Sequence, residues 1–210
     1  SAMLQCWEDE THPQHVQLRT LWSHLNDWFY QGFEKTRQRF GFGFDQDRVS
    51  YESQIYLKGK ELVLAAADQG ILERLPDGAI VARLESAGLP DKILLRRDGT
   101  GIYMTFDIEL TRQRTSTTAD SLIWIVGVDQ KLSFQQLFAI TEKLGFGTQD
   151  RYHHLAHGMV RLPEGKMSSR KGRVLYADDI LDLAVQHAKT IMQETGSTER
   201  LEPEEFDLVA

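Results

Sequence analysis

Leu122-Ile123-Trp124-Ile125-Val126-Gly127-Val128 is an unbroken apolar run that ends on Asp129-Gln130. A strand with one wet face alternates apolar and polar residues, so an unbroken run predicts a strand with both sheet faces covered. It is far short of the roughly 20 apolar residues that a membrane helix needs. Working outward, Leu132–Leu144 reads as a helix closed by Gly145, His153–Leu162 as a strand, and Ala177–Met192 as a helix. That last helix puts Ile180, Leu181, Ala184, Val185, Ala188, Ile191 and Met192 on one side. Upstream, Lys92–Leu95 is a short strand, Asp98-Gly99 a turn and Thr105–Arg114 a helix. Strands and helices in alternation predict an α/β fold with a parallel sheet.

The first part of the chain has a different rhythm. Residues 15–40 read as a helix, with Leu18, Leu21, Trp22, Leu25, Trp28, Phe29 and Phe33 at helical spacing, broken by Gly41-Phe-Gly-Phe-Asp45. Residues 50–69 read as a second helix that stops at Gly70. Residues 71–84 read as short strands around a Pro76-Asp77-Gly78 turn, and Gly88-Leu89-Pro90 as a boundary.

With 210 residues and 41% hydrophobic content, the chain can bury a core of one large or two small domains. Cys6 is the single cysteine, so no internal disulfide forms and a reducing compartment is favoured. A formal net charge of −7 argues against a protein that coats nucleic acid non-specifically. Basic residues are nevertheless concentrated in 161–173, where Arg161, Lys166, Arg170, Lys171 and Arg173 face Glu164 alone.

Three segments offer chemistry. Gly165-Lys-Met-Ser-Ser-Arg-Lys-Gly172 combines bracketing glycines, two hydroxyls and three cations. A loop of that kind suits a polyphosphate whose charge redistributes during a reaction; the plainer reading is a solvated basic loop. At the end of the 122–128 strand, Gly127 would let a nucleotide approach the backbone, Asp129 would accept from ribose hydroxyls and Gln130 would orient a polar substrate. Ligands gather at the carboxyl ends of strands in doubly wound sheets, although a solvated strand-end turn has the same letters. In Asp98-Gly-Thr-Gly-Ile-Tyr-Met-Thr-Phe-Asp107, Tyr103 and Asp107 are four apart and share a helical face. A partly buried carboxylate beside a phenol seats a guanidinium; a core tyrosine and a helix N-terminal aspartate would read the same. His153, His154 and His157 lack zinc spacing and a carboxylate cluster, so no metal site is expected there.

Taken in order, these segments resemble the arginyl-tRNA synthetases, class I aminoacyl-tRNA synthetases, over roughly Leu18 to Met192. Lys166-Met-Ser-Ser-Arg-Lys-Gly172 is similar to the class I second signature. Asp98-Gly-Thr-x-x-Tyr103-x-x-x-Asp107-Ile108 resembles the family's arginine-pocket segment. Tyr51-Glu-Ser53 and Asp77-Gly-Ala79 resemble its lead-in, and Val126-Gly-Val-Asp-Gln-Lys-Leu-Ser-Phe-x-Gln136 the strand and helix that follow. The resemblance implies residues 1–90 as a connective insertion with two helices and short strands. It implies 91–195 as the second half of a Rossmann-type catalytic core, with 196–210 an acidic tail. It implies ATP-dependent activation of arginine, Mg2+ accompanying ATP, transfer to tRNA(Arg), a cytoplasmic location, and neither a structural metal nor a membrane partner. By position, Tyr103, Asp107 and Gln130 would contact arginine. Gly127 and Asp129 would lie by the ribose, and Met159 and Val160 by adenine. Lys166 and Ser168, with Arg170 and Lys171, would serve the phosphates.

The chain departs from the family pattern in places. His12-Pro-Gln-His15 lacks the glycine of the first class I signature and precedes a helix, so it is not that motif. Ser169 stands where many class I loops carry a second lysine, which leaves Arg170 or Lys171 to supply that charge, and Ser133 stands where relatives often have histidine. The expectation is therefore an incomplete catalytic region, inactive alone. A standalone arginine- or nucleotide-binding module and a class I ligase for lysine are the competing readings.

Overall fold

The computed structural model describes residues 2–45, 49–117, 119–159 and 174–196, with the backbone alone of Arg161–Leu162 and Gly165–Lys166. The described chain falls into two units, Ser1–Asp27 with Phe44–Met159 and Trp28–Gly43 with Val160–Ala210.

In the first unit, α1 (Ala2–Glu8) and the opening turns of α2 (His15–Arg39) precede α3 (Glu52–Asp68). The helix α3 ends where Gly70 takes a left-handed φ of 74°, the conformation that glycine enters without steric cost. Strands β1 (Glu73–Arg74), β2 (Ile80–Ala82) and β3 (Lys92–Leu95) form an antiparallel sheet in the order β1-β2-β3. The β1–β2 turn is the expected Pro76-Asp77-Gly78 segment, with Asp77 Oδ1 accepting from the Ala79 N–H at 3.1 Å. Residues 88–90 lie between β2 and β3, two strands of this one sheet.

Helix α4 (Tyr103–Thr115) crosses α3 closely. Gly59 makes the crossing possible, because a Cβ there would overlap the Thr105 carbonyl. Strand β4 (Leu122–Gly127), helix α5 (Lys131–Lys143) and strand β5 (Tyr152–His157) form a β-α-β unit in which β4 and β5 pair in parallel, Leu122 opposite Tyr152 through Gly127 opposite His157. The fold of the described residues is thus mixed α/β, with a small parallel pair and a small antiparallel sheet. One core joins them: Val63 of α3, Ile80, Leu94 and Leu95 of the antiparallel strands, Ile108 of α4, and Leu137 and Ile140 of α5 are almost wholly buried.

Two expectations are corrected. The 122–128 run does not have both faces covered. Leu122, Trp124 and Val126 pack on the core, where Trp124 meets Phe138 at 5.1 Å and Tyr152 at 5.8 Å between ring centres. Ile123 and Ile125 remain 62% and 69% exposed, and Leu155 of β5 is 59% exposed. The pattern therefore alternates by burial though not by polarity. The 153–162 strand is likewise shorter than read. It stops at His157, whose Nδ1–H donates to the Gly158 carbonyl at 2.8 Å, and Arg161–Leu162 (β6) pairs instead with Gly165–Lys166 (β7) in an antiparallel hairpin.

The second unit contains the closing turns of α2, that hairpin, and α6 (Ala177–Glu194). Arg39 Nη1 bonds Asp178 at 2.6 Å, and the Thr36 hydroxyl donates to the same carboxylate at 2.6 Å. These tie α2 to the first turn of α6, where acidic side chains also complement the helix dipole. Residues 197–210, the acidic tail, lie outside the described residues.

Candidate active site

The approach to α4 is built by side-chain caps. Asp98 Oδ1 accepts from the Thr100 N–H at 3.0 Å and from its hydroxyl at 2.7 Å, and Gly99 completes the turn at φ 77°. Arg96 Nη1 donates to the Gly101 carbonyl at 2.7 Å. The Ile102 N–H, free at the helix start, donates to Thr105 Oγ1 at 3.2 Å, and the Thr105 hydroxyl passes its own hydrogen bond to the Leu94 carbonyl at 2.6 Å. Thr105 is fully buried. The first turn of α4 is therefore anchored to β3 by one hydroxyl serving as both cap and tether.

Tyr103 and Asp107 lie on that anchored helix, one turn apart. Tyr103 is 79% exposed, with its ring edge against Phe106 at 6.3 Å. It is not the core tyrosine of the plainer reading. Asp107 is partly buried, and among the described residues its carboxylate has no hydrogen-bond or ion-pair partner. Burial, and after it the nearby charge of Glu52, raise its pKa from the ordinary carboxylate value to about 6. Asp107 thus feels a second carboxylate, with no ion pair to offset it among the described residues. An arriving cation would relieve both effects, and a planar guanidinium can bond two oxygens at once. Glu52 opens α3, far from Asp107 in sequence, and no local pattern placed it there.

At the carboxyl end of β4, Gly127 is buried. A Cβ at that position would stand 2.9 Å from Asp129 Oδ1 and 3.2 Å from Met159 Sδ. Gly127, Asp129 and Met159 are therefore gathered at one strand edge. Gln130 ends the 3-10 turn that follows, exposed at the start of α5. His157 reaches the same edge, within 3.8 Å of the Gly127 position. His154 points to the other face, stacked on Phe134 at 4.7 Å and donating from Nε2 to the Val126 carbonyl at 3.0 Å. Lys166 is described in its backbone only, within β7. Val160, Ser168, Arg170 and Lys171 lie outside the described residues. Among the described residues no three His, Cys, Asp or Glu side chains converge as a metal site would require, and no helix is long and apolar enough to cross a membrane.

The family model described as "tRNA synthetases class I (R), catalytic domain" matches residues 5–210. The arginine–tRNA ligase of Bacteroides thetaiotaomicron is 42% identical over 195 residues, 92% of this chain and 32% of that protein. That of Parabacteroides distasonis is 40% identical over 209 residues, 99% of this chain and 34% of its own length. The chain thus spans about a third of the length of these curated relatives. In fold it is similar to the arginyl-tRNA synthetase of Plasmodium falciparum, with a TM-score of 0.69 at 16% identity over 92% of this chain and 32% of that one. It is also similar to that of Thermus thermophilus, with a TM-score of 0.60 at 18% identity over 97% and 42%. With the family model matched along nearly its whole length, this chain belongs to the class I arginyl-tRNA synthetase catalytic-domain family.

Proposed function

We propose that this chain supplies the amino-acid pocket and one nucleotide edge of the catalytic core of an arginine–tRNA ligase. In this reading, residues 91–195 belong to a class I Rossmann-type core, and residues 1–90 to its connective insertion. The reaction has two steps. A carboxylate oxygen of arginine attacks the α-phosphorus of ATP and pyrophosphate leaves. A ribose hydroxyl at the end of tRNA(Arg) then attacks the carbonyl carbon and AMP leaves. Tyr103, Asp107 and Gln130 would hold arginine, with Glu52 as a second carboxylate for the guanidinium. Gly127 and Asp129 would meet the ribose, and Met159 and Val160 the adenine. Lys166, Ser168, Arg170 and Lys171 would steady the phosphates as pyrophosphate departs. Mg2+ enters only as the companion of ATP. The single cysteine fits work in the cytoplasm.

The observation that carries this reading is the partly buried carboxylate of Asp107, without a hydrogen-bond or ion-pair partner among the described residues, one turn from an exposed phenol and within the field of Glu52. Such a site costs folding free energy unless a cation occupies it. In a complete ligase carrying this segment, Asp107→Asn should lower kcat/KM for arginine by about 2–4 kcal/mol of transition-state stabilisation, the scale for breaking a buried charge pair. Unchanged kinetics for arginine would refute the assignment. Discrimination against lysine should shrink in the same variant, because lysine's point charge does not use the two-oxygen geometry.

A further inference from the structure

Tyr56, on α3, lies beneath the loop that delivers α4. It is 4% exposed. Its hydroxyl oxygen accepts the Gly101 N–H at 3.1 Å, and its proton goes to Glu8 Oε1 on α1 in a short contact. Lys60 Nζ holds the other oxygen of Glu8 at 2.6 Å. The Tyr56 ring packs against Phe106 at 5.0 Å and edge-on to Trp7 at 5.8 Å. Phe106 in turn touches the Tyr103 ring. A Cβ on Gly101 would stand 3.3 Å from Tyr56 Cε2, so loop and ring are in direct apposition. With the Gly101 carbonyl held by Arg96, both polar groups of that peptide segment have fixed partners. Burial and the Glu8 carboxylate keep the Tyr56 hydroxyl protonated, its pKa raised above the usual phenol value.

From this geometry we infer that Glu8 and Tyr56 are positioning residues for the substrate pocket: through Gly101 they set where the first turn of α4 places Tyr103 and Asp107. The inference rests on the proposed role of those two side chains. Neither Glu8 nor Tyr56 touches substrate in this account. The pair acts as a two-link strut running from α1 to the loop, and α4 is the element it aims.

The test is a split in kinetic constants measured in a complete ligase carrying this segment. Tyr56→Phe keeps the ring and removes the oxygen, leaving the buried Gly101 N–H without its acceptor. Leaving that buried donor without its acceptor loosens the loop's placement, so KM for arginine should rise roughly tenfold. KM for ATP should stay within about twofold. Glu8→Ala should reproduce the arginine effect, whereas Glu8→Gln, whose amide oxygen can still accept the tyrosine proton, should restore near-normal KM. That rescue distinguishes aim from mere stability, and it keeps the test alive if Tyr56→Phe folds poorly. Equal rises in both KM values, or no rescue by Glu8→Gln, would overturn the inference. If Asp107→Asn raises KM for arginine while Tyr56→Phe and Glu8→Ala do not, the pocket stands and the strut falls. If Asp107→Asn is silent as well, the pocket assignment fails first and takes the inference with it.

Discussion

Asp107 and Glu109 stand two residues apart on α4, on opposite sides of the helix, and the fold treats them in opposite ways. The Glu109 side chain is only 1% exposed, yet both of its oxygens are bonded: Arg112 reaches them at 2.7 and 2.8 Å, and Gln113 donates at 2.7 Å. Burial pushes its pKa up, but these bonds outweigh burial and leave it below the ordinary value. Asp107 is less deeply buried, has no such partners among the described residues, and is pushed up to about 6. Burial alone therefore does not single out a functional carboxylate. The distinguishing mark is burial without a partner, because a chain under selection for stability alone would supply one.

The contrast can be broken most forcefully from the Glu109 side. Arg112→Ala would leave Glu109 buried with one amide donor. We expect a loss of about 2–4 kcal/mol in folding stability by denaturant unfolding, somewhat under the 3–5 kcal/mol scale for a fully buried pair, because Arg112 is 44% exposed. A cost near zero would mean that Glu109 is not held by its pairing.

On the Asp107 side the effect appears as a pH dependence of the opposite sense to the usual one. The unfolded carboxyl titrates near 4 and the folded one near 6. The folded state therefore binds more protons between those values, and stability falls as pH rises from about 4 to 6, then levels off. The drop assignable to this group is about 2 kcal/mol after allowing for partial solvent access. It should vanish in Asp107→Asn. A stability curve that still falls by the same amount in the variant would place the titration elsewhere. Smaller again is the contribution of Glu52, the second of the two causes behind the Asp107 value. Glu52→Gln should move the Asp107 midpoint down by less than burial moved it up, an effect of about 1 kcal/mol or less, read from the same titration. No movement would separate Glu52 from the pocket.

Much of this architecture is legible in the chain because it is local. Gly78, Gly99 and Gly145 take positive φ, the first two within the expected turns and the third just past the end of α5. Tyr103 and Asp107 are legible as a helical pair because their spacing is set by the helix itself. The β4-α5-β5 unit follows from periodicity and length. What spacing does not convey is which distant groups meet. The charge of Glu52 acting on Asp107, and Tyr56 under Gly101, depend on how α3 crosses α4, a crossing that Gly59 allows by admitting the Thr105 carbonyl. Ile123 and Ile125 show another limit. Their apolar character predicts a covered face, but coverage is a property of neighbours, and in this structure they stand exposed. The end of β5 at His157 was hidden for a similar reason: Arg161-Leu162 has strand-forming character and finds its partner in Gly165-Lys166 rather than in β4.

The central claim is that Asp107 is an acid held ready for a guanidinium. The most direct measurement is a carboxyl carbon NMR titration of Asp107 in this chain, run without arginine and again with saturating arginine. The account predicts a midpoint near 6 in the free chain. With arginine present it should fall by at least about one unit, since an opposite charge in contact typically lowers a carboxylate by 1–3. A midpoint near 4 in the free chain, or one near 6 that arginine does not move, would contradict it.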